Sequence, residues 1–132
     1  MDTFMTSFGA KNPYIKDTVA TASPQHLLVM LYDRLVLDLT RAESAIDLRD
    51  HGGAHNALVH AQDIVTELRA TLDLEVWPEG RQLGLVYDYL GELLVDANLR
   101  KDAAPITTCK ALIEPIHGAW REIAGLGVTH AA

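Results

Sequence analysis

This sequence has a single cysteine and no excess of positive charge, and each of these features excludes a class of protein. Cys109 is the only cysteine in 132 residues, so no disulfide forms within the chain, and we expect a reducing compartment, the cytoplasm. The formal net charge of −7 leaves no excess of lysine and arginine to neutralise nucleic-acid phosphates or an anionic membrane. No apolar run approaches the roughly 18 residues of a membrane-spanning helix, and no signal peptide is visible. We therefore expect a cytoplasmic domain that binds no nucleic acid and inserts into no membrane.

Residues 21–46 predict the helix around which the chain is organised. Ser23 suits an N-cap position, and Pro24 suits the first helical position. Apolar residues at steps of three or four then predict one core-facing stripe: Leu28, Leu31, Leu35, Leu39, Ala42 and Ile46. Val29 and Val36 point away from that stripe, so this helix is apolar on more than one side and needs more than one packing partner.

Three further helices are predicted, over residues 54–72, about 79–99, and from Pro105 to about residue 124. The run Asp50-His51-Gly52-Gly53 is read as the break after the first helix. Pro115 lies inside the last helix, where it removes one backbone hydrogen bond and predicts a kink near Leu112. We expect no break there, because the apolar period continues in phase across it. With no strand pattern, we predict an all-α, antiparallel up-down-up-down four-helix bundle over residues 21–125. A mobile N-terminal arm, 1–20, and a frayed tail, 126–132, are expected to flank it.

The third predicted helix also carries more apolar surface than one stripe requires. Leu85 and Tyr89, with Val95 and Leu99 beyond them, lie off its core side. One interpretation is that the N-terminal arm and the loop containing Trp77 cover this surface. The other is that a partner segment packs there, as an amphipathic helix does in a bundle groove. A short repeat links the two apolar-rich helices, since residues 31–35 (LYDRL) recur as residues 86–90 (VYDYL).

Signals for catalysis or metal binding are thin. Glu114 and His117 have the Glu-x-x-His spacing of di-iron bundles, but the sequence has no second copy of that motif. Six histidines leave open a phosphotransfer bundle, although Asp63 and Glu67 follow His60 by one and two turns and would repel a phosphoryl group there. We predict no catalytic residue, no cofactor and no metal.

An ordered set of short motifs resembles the FliS family of flagellin-specific export chaperones. The first motifs are Thr21-Ala22-Ser23-Pro24 and Met30-Leu31-Tyr32-Asp33. The set then continues through Ala61-Gln62-Asp63-Ile64, Glu67-Leu68, Leu72-Asp73, Tyr87-Asp88-Tyr89, Ala97-Asn98 and Ala119-Trp120-Arg121-Glu122. The resemblance covers about residues 12–123. Arg34, where the family usually has a small residue, and Pro115 depart from the family pattern.

The resemblance implies a cytosolic four-helix chaperone that holds the disordered C-terminal segment of flagellin before export, prevents its premature polymerisation and supports flagellar type III secretion. It also implies that the segment around Tyr14 packs near the client groove, which makes Tyr14, Ile15 and Val19 candidates for a displaceable plug. With the apolar-rich helices included, the predicted partner-binding residues are Tyr14, Ile15, Val19, Val29, Tyr32, Val36, Leu85 and Tyr89. The export gate of the secretion apparatus would be a further partner, and a homodimer is left open. The alternative function is a phosphotransfer or other signalling bundle.

Overall fold

Four α-helices form the protein in the computed structural model, which describes residues 23–126. They are α1 (Pro24–Asp47), α2 (His51–Ala70), α3 (Arg81–Arg100) and α4 (Ala104–Ile123), and a short 3-10 turn (Pro78–Gly80) precedes α3. No strand occurs within residues 23–126. The predicted all-α four-helix fold is therefore confirmed. The predicted arm, residues 1–20, and nearly all of the predicted tail lie outside the described residues.

The start of α1 follows the predicted capping chemistry. The Ser23 hydroxyl accepts a hydrogen bond from the backbone N–H of His26 at 3.0 Å, and Pro24 occupies the first turn. The Ser23 side chain thus satisfies one of the N–H groups that have no partner inside the helix.

The predicted break at His51-Gly52-Gly53 is wrong, because these residues form the first turn of α2. The chain turns instead at Leu48–Asp50, where Arg49 adopts a left-handed backbone with φ 58°. The Asp50 carboxylate accepts the backbone N–H of Gly53 at 2.9 Å and so caps α2. A Cβ atom at Gly53 would lie 2.3 Å from that carboxylate, so a larger residue there would displace the capping side chain. The Asp50 cap therefore stabilises a helical first turn even though Gly52 and Gly53 have poor helix propensity.

Contacts between side chains establish the helix directions. Between α2 and α3, His55 lies by Asn98 at one end and Arg69 contacts Asp88 at the other. Helices α2 and α3 are therefore antiparallel. The same order relates α1 to α4, where Glu43 contacts Lys110 and Asp33 contacts His117. Each helix packs beside the next one in sequence, and α4 returns to α1, which is the up-down-up-down order.

The core is a continuous cluster drawn from all four helices. Its fully enclosed members include Leu31, Leu35 and Leu39 of α1, Leu58, Ile64 and Leu68 of α2, Leu90 and Leu94 of α3, and Ile106 and Cys109 of α4. Burial raises the pKa of the Cys109 thiol to about 12, so the thiol stays protonated at neutral pH. Within the described part of the chain, no helix is both long and apolar enough to cross a membrane.

Helix α4 continues without a break through Pro115, as predicted. The Pro115 side chain is exposed, so the ring lies on the outer surface of the helix. The kink near Leu112 stays a prediction.

The burial of α3 predicts that truncating two of its leucines, Leu90 and Leu99, changes the free energy of unfolding by very different amounts. Leu90→Ala removes a fully enclosed side chain and should lower the free energy of unfolding by about 2–5 kcal/mol. Leu99→Ala truncates a side chain that is 81% exposed and should change it by less than about 0.5 kcal/mol. Urea titrations followed by circular dichroism measure both values. Similar losses in the two variants would contradict the burial pattern of α3.

Candidate partner-binding surface

The outer side of α3 is an apolar surface that the bundle leaves exposed. Leu85 is 63% exposed, Tyr89 46%, Val95 45% and Leu99 81%. We call these four residues the α3 ridge. The core side of the same helix is formed by Tyr87, Leu90, Leu94 and Ala97, so helical spacing places the ridge away from the bundle interior. The prediction that α3 carries surplus apolar surface is therefore confirmed. The loop containing Trp77 does not enclose Leu85.

The surplus predicted on α1 is placed differently. Val29 and Tyr32 are completely buried, Val36 is partly buried against the core, and Leu37 is 40% exposed. Val29 has no solvent exposure, but it is not among the residues of the core cluster that the four helices share. As partner-binding residues, Val29 and Tyr32 would need local opening of the structure before another chain could touch them. Tyr14, Ile15 and Val19 lie outside the described residues.

Two tyrosines from opposite helices meet in the core. The hydroxyl groups of Tyr32 on α1 and Tyr87 on α3 hydrogen-bond to each other, and both residues are buried. His117 of α4 stacks on the Tyr32 ring, with centroids 5.9 Å apart. Burial raises the pKa of Tyr87 to about 12, and burial together with the neighbouring Tyr87 raises the pKa of Tyr32 as well. Both phenols therefore stay protonated and can donate and accept.

The residue after each tyrosine binds a flanking helix. Asp33 accepts from His117 Nε2 at 2.7 Å and lies 3.8 Å from Arg121 Nη1, both on α4. Asp88 accepts from Arg69 Nε of α2 at 3.0 Å. The five-residue repeat of the sequence therefore corresponds to repeated contacts. In each copy the tyrosine is buried, and the aspartate contacts an adjacent helix: Asp33 contacts α4, and Asp88 contacts α2.

A shallow groove of about 420 Å³ runs between α2 and α3, beside the ridge. Its apolar and small lining residues are Val65, Ala70, Tyr87 and Gly91, and the pair Arg69–Asp88 crosses it. A Cβ atom added at Gly91 would meet nothing within 4 Å, so this side of α3 is open. The groove extends the apolar surface of the ridge towards α2.

Three of the six histidines make side-chain contacts with other helices. His117 contacts Asp33, His55 contacts Asn98, and His60 Nδ1 contacts the buried Asp38. The acidic neighbour of His60 in space is thus Asp38 of α1, a contact that the spacing within α2 does not predict. Within residues 23–126, no group of three or more His, Cys, Asp or Glu residues is placed to hold a metal ion.

Residues 6–126 match the protein family described as "Flagellar protein FliS". The chain belongs to the FliS family. It is similar to the flagellar secretion chaperone FliS of Bacillus subtilis, with 30% identity over 85% of this chain and 86% of the relative. It is also similar to the proteins of the same name from Salmonella typhimurium and Escherichia coli. These show 35% identity over 83% and 82% of the two chains, and 34% over 82% and 81%.

Family membership confirms the resemblance seen in the sequence motifs, including Leu31-Tyr32-Asp33 and Tyr87-Asp88-Tyr89. It also confirms that the protein is not an enzyme, because the relatives are named secretion chaperones. Two of the motifs now have a physical role, since they supply the paired tyrosines and the aspartates that contact flanking helices.

The Tyr32–Tyr87 hydrogen bond predicts that substitutions of the two tyrosines have non-additive effects on the free energy of unfolding. Tyr32→Phe should lower the free energy of unfolding by about 1–3 kcal/mol, since it leaves the buried Tyr87 hydroxyl without its partner. Tyr87→Phe should cost a similar amount, because it leaves the buried Tyr32 hydroxyl without its partner. The double variant should cost less than the sum of the two, as measured in a denaturant double-mutant cycle. Additive losses would mean that the two hydroxyls do not stabilise each other.

Proposed function

We propose that the protein is a cytoplasmic export chaperone that binds the disordered C-terminal segment of flagellin, prevents its premature polymerisation and delivers it to flagellar type III secretion. Membership of the FliS family supports this proposal, as do relatives named flagellar secretion chaperones in three bacteria. The observation that carries it is the exposed α3 ridge, with Leu85 63% exposed in a bundle whose core is otherwise complete.

The ridge suits an amphipathic client that orders as it binds. Large side chains such as Leu85 and Tyr89 offer apolar area, and the adjoining α2/α3 groove offers room for the client's own side chains. A segment that folds on binding buries on the order of 1,000–3,000 Å² and gives up about 2–5 kcal/mol to ordering. Such a balance gives specific but reversible capture, and neither a cofactor nor a catalytic residue is required.

The proposed client-binding residues fall into three groups. Leu85 and Tyr89 are accessible without rearrangement, and Val36 is accessible in part. Val29 and Tyr32 would join the surface only if α1 and its neighbours opened. Tyr14, Ile15 and Val19 would act from the N-terminal arm as a plug that the client displaces. The export gate of the secretion apparatus would then receive the chaperone with its client.

A charge on the ridge should weaken the client complex without unfolding the chaperone. Leu85→Asp should raise the Kd for a flagellin C-terminal peptide about tenfold or more, since it places a carboxylate in an apolar contact. It should change the free energy of unfolding by less than about 1 kcal/mol, because Leu85 is mostly solvated already. Calorimetric titration and a urea melt measure the two effects.

The matched control is Leu48→Asp, which makes the same change at a leucine that is 76% exposed beyond the end of α1. Its Kd should stay near the wild-type value. Equal weakening by both variants would mean that added charge alone opposes the client. Loss of stability in step with loss of affinity would place Leu85 in the core.

Removing residues 1–20 tests the proposed plug. If Tyr14, Ile15 and Val19 compete with the client, the truncated chain should bind the flagellin peptide more tightly and with a faster association rate. Stopped-flow mixing with a labelled peptide measures the rate. The same truncation carrying Leu85→Asp should lose affinity again. An unchanged Kd and rate after truncation would refute competition by the arm.

A further inference from the structure

The last part of α4, residues 116–123, packs less deeply against the bundle than the rest of the helix. We call this segment the α4 end. None of its residues is fully buried, although Ile116 and Trp120 are partly buried against the core. The fully buried residues of α4 all precede Pro115: Pro105, Ile106, Cys109 and Ile113. The α4 end is therefore stabilised by less buried apolar area than the first half of the helix.

The helical backbone is also weakened where the α4 end begins. Pro115 has no N–H group, so the Ala111 carbonyl lacks the helical hydrogen bond that this group would donate. Gly118 has poor helix propensity, and a Cβ atom added there would meet nothing within 4 Å. Packing therefore does not require glycine at this position. The helix is weakest just after its buried residues stop.

Two polar side chains of the α4 end contact one aspartate of α1. Asp33 Oδ1 accepts from His117 Nε2 at 2.7 Å and lies 3.8 Å from Arg121 Nη1. The Asp33 side chain is 50% exposed, so water can replace these contacts when the helices separate. Solvated ion pairs of this kind contribute little to stability. The polar contacts with Asp33 therefore hold the α4 end only weakly.

The α4 end lies over the two buried residues of α1 that are predicted to bind the partner, Val29 and Tyr32. The His117 ring stacks on the Tyr32 ring, and Tyr32 has no solvent exposure. Val29 precedes Asp33 by four residues, so both lie on the side of α1 that faces α4. Because α1 and α4 are antiparallel, Val29 faces the residues that follow His117. Separation of the α4 end from α1 would expose both residues.

We propose that the α4 end is a displaceable cover over a concealed part of the client-binding surface. It separates from α1 and unwinds, and the client packs against Val29 and Tyr32 in its place. This inference rests on the proposed function. An amphipathic client helix suits the vacated site, because apolar side chains four residues apart can replace Ile116 and Trp120.

Two substitutions should shift the opening of the α4 end in opposite directions. If the client binds only the open form, its apparent Kd is the intrinsic Kd divided by the open fraction. Gly118→Ala should lower that fraction about three- to fivefold, because alanine favours the helix and meets no obstacle. Asp33→Ala should raise it about two- to fivefold, because His117 and Arg121 lose their contact.

Amide exchange and affinity should change together. In the isotope-labelled full-length protein, exchange of amides 116–123 should slow in Gly118→Ala and quicken in Asp33→Ala. The Kd for a flagellin C-terminal peptide should rise in the first variant and fall in the second, by the same factors as the exchange rates. Changed exchange with an unchanged Kd would mean that the helix end only frays, and would overturn the proposal.

The matched control is Glu43→Ala, which removes the α1 carboxylate that contacts α4 at Lys110, before Pro115. It should leave the Kd and the exchange of amides 116–123 within about twofold of wild type. Equal effects of Asp33→Ala and Glu43→Ala would refute a separate role for the α4 end. In the saturated wild-type complex, amides 116–123 should exchange faster than in the free protein. Greater protection there would contradict displacement by the client.

The same titrations distinguish failure of this inference from failure of the proposed function. A wild-type chain that binds no flagellin peptide would overturn the proposed function, and with it the client as occupant of this site. Binding that is weakened by Leu85→Asp but unchanged by Gly118→Ala and Asp33→Ala would support the chaperone and overturn only the cover.

Discussion

The hydrogen bond between the Tyr32 and Tyr87 hydroxyls fixes how the two halves of this bundle meet. Each phenol comes from a diagonal helix, so the pair spans the core instead of joining neighbours. A buried hydroxyl needs a partner, and here each finds one only if α1 and α3 keep one relative height and rotation. Apolar contacts are less selective, because leucine side chains pack acceptably after small shifts. The tyrosine pair thus sets the register of α1 against α3, that is, their relative height and rotation in the core.

That register reveals a two-fold relation between the helical hairpins α1–α2 and α3–α4. Tyr32 and Tyr87 are 55 residues apart, and the same displacement relates Leu35 to Leu90. It also relates Leu39 to Leu94 and Ala42 to Ala97, all of them buried. Polar contacts follow the same rule, since Glu43–Lys110 and Asn98–His55 are equivalent pairs under this displacement. The five-residue sequence repeat is the visible part of this longer correspondence.

The α3 ridge lies where this correspondence fails. Leu85 and Tyr89 of the ridge correspond to Met30 and Arg34 of α1. Met30 is partly buried against the core, and Arg34 is exposed. Core positions are held alike in both halves by packing, whereas outward positions are free to differ. At the position of Tyr89, α3 therefore presents an aromatic side chain where α1 presents a charged one.

Sequence periodicity predicts the helices well because it reports which side of a helix faces its own core. It identified the ridge for the same reason, since Leu85 and Tyr89 fall opposite the stripe of α3. It does not show how completely a side chain off the core stripe is enclosed, and Val29 is fully buried although it is not part of the core cluster. The contact between Asp38 and His60 was missed on similar grounds. It joins two helices, and nothing in the spacing of either specifies their relative rotation.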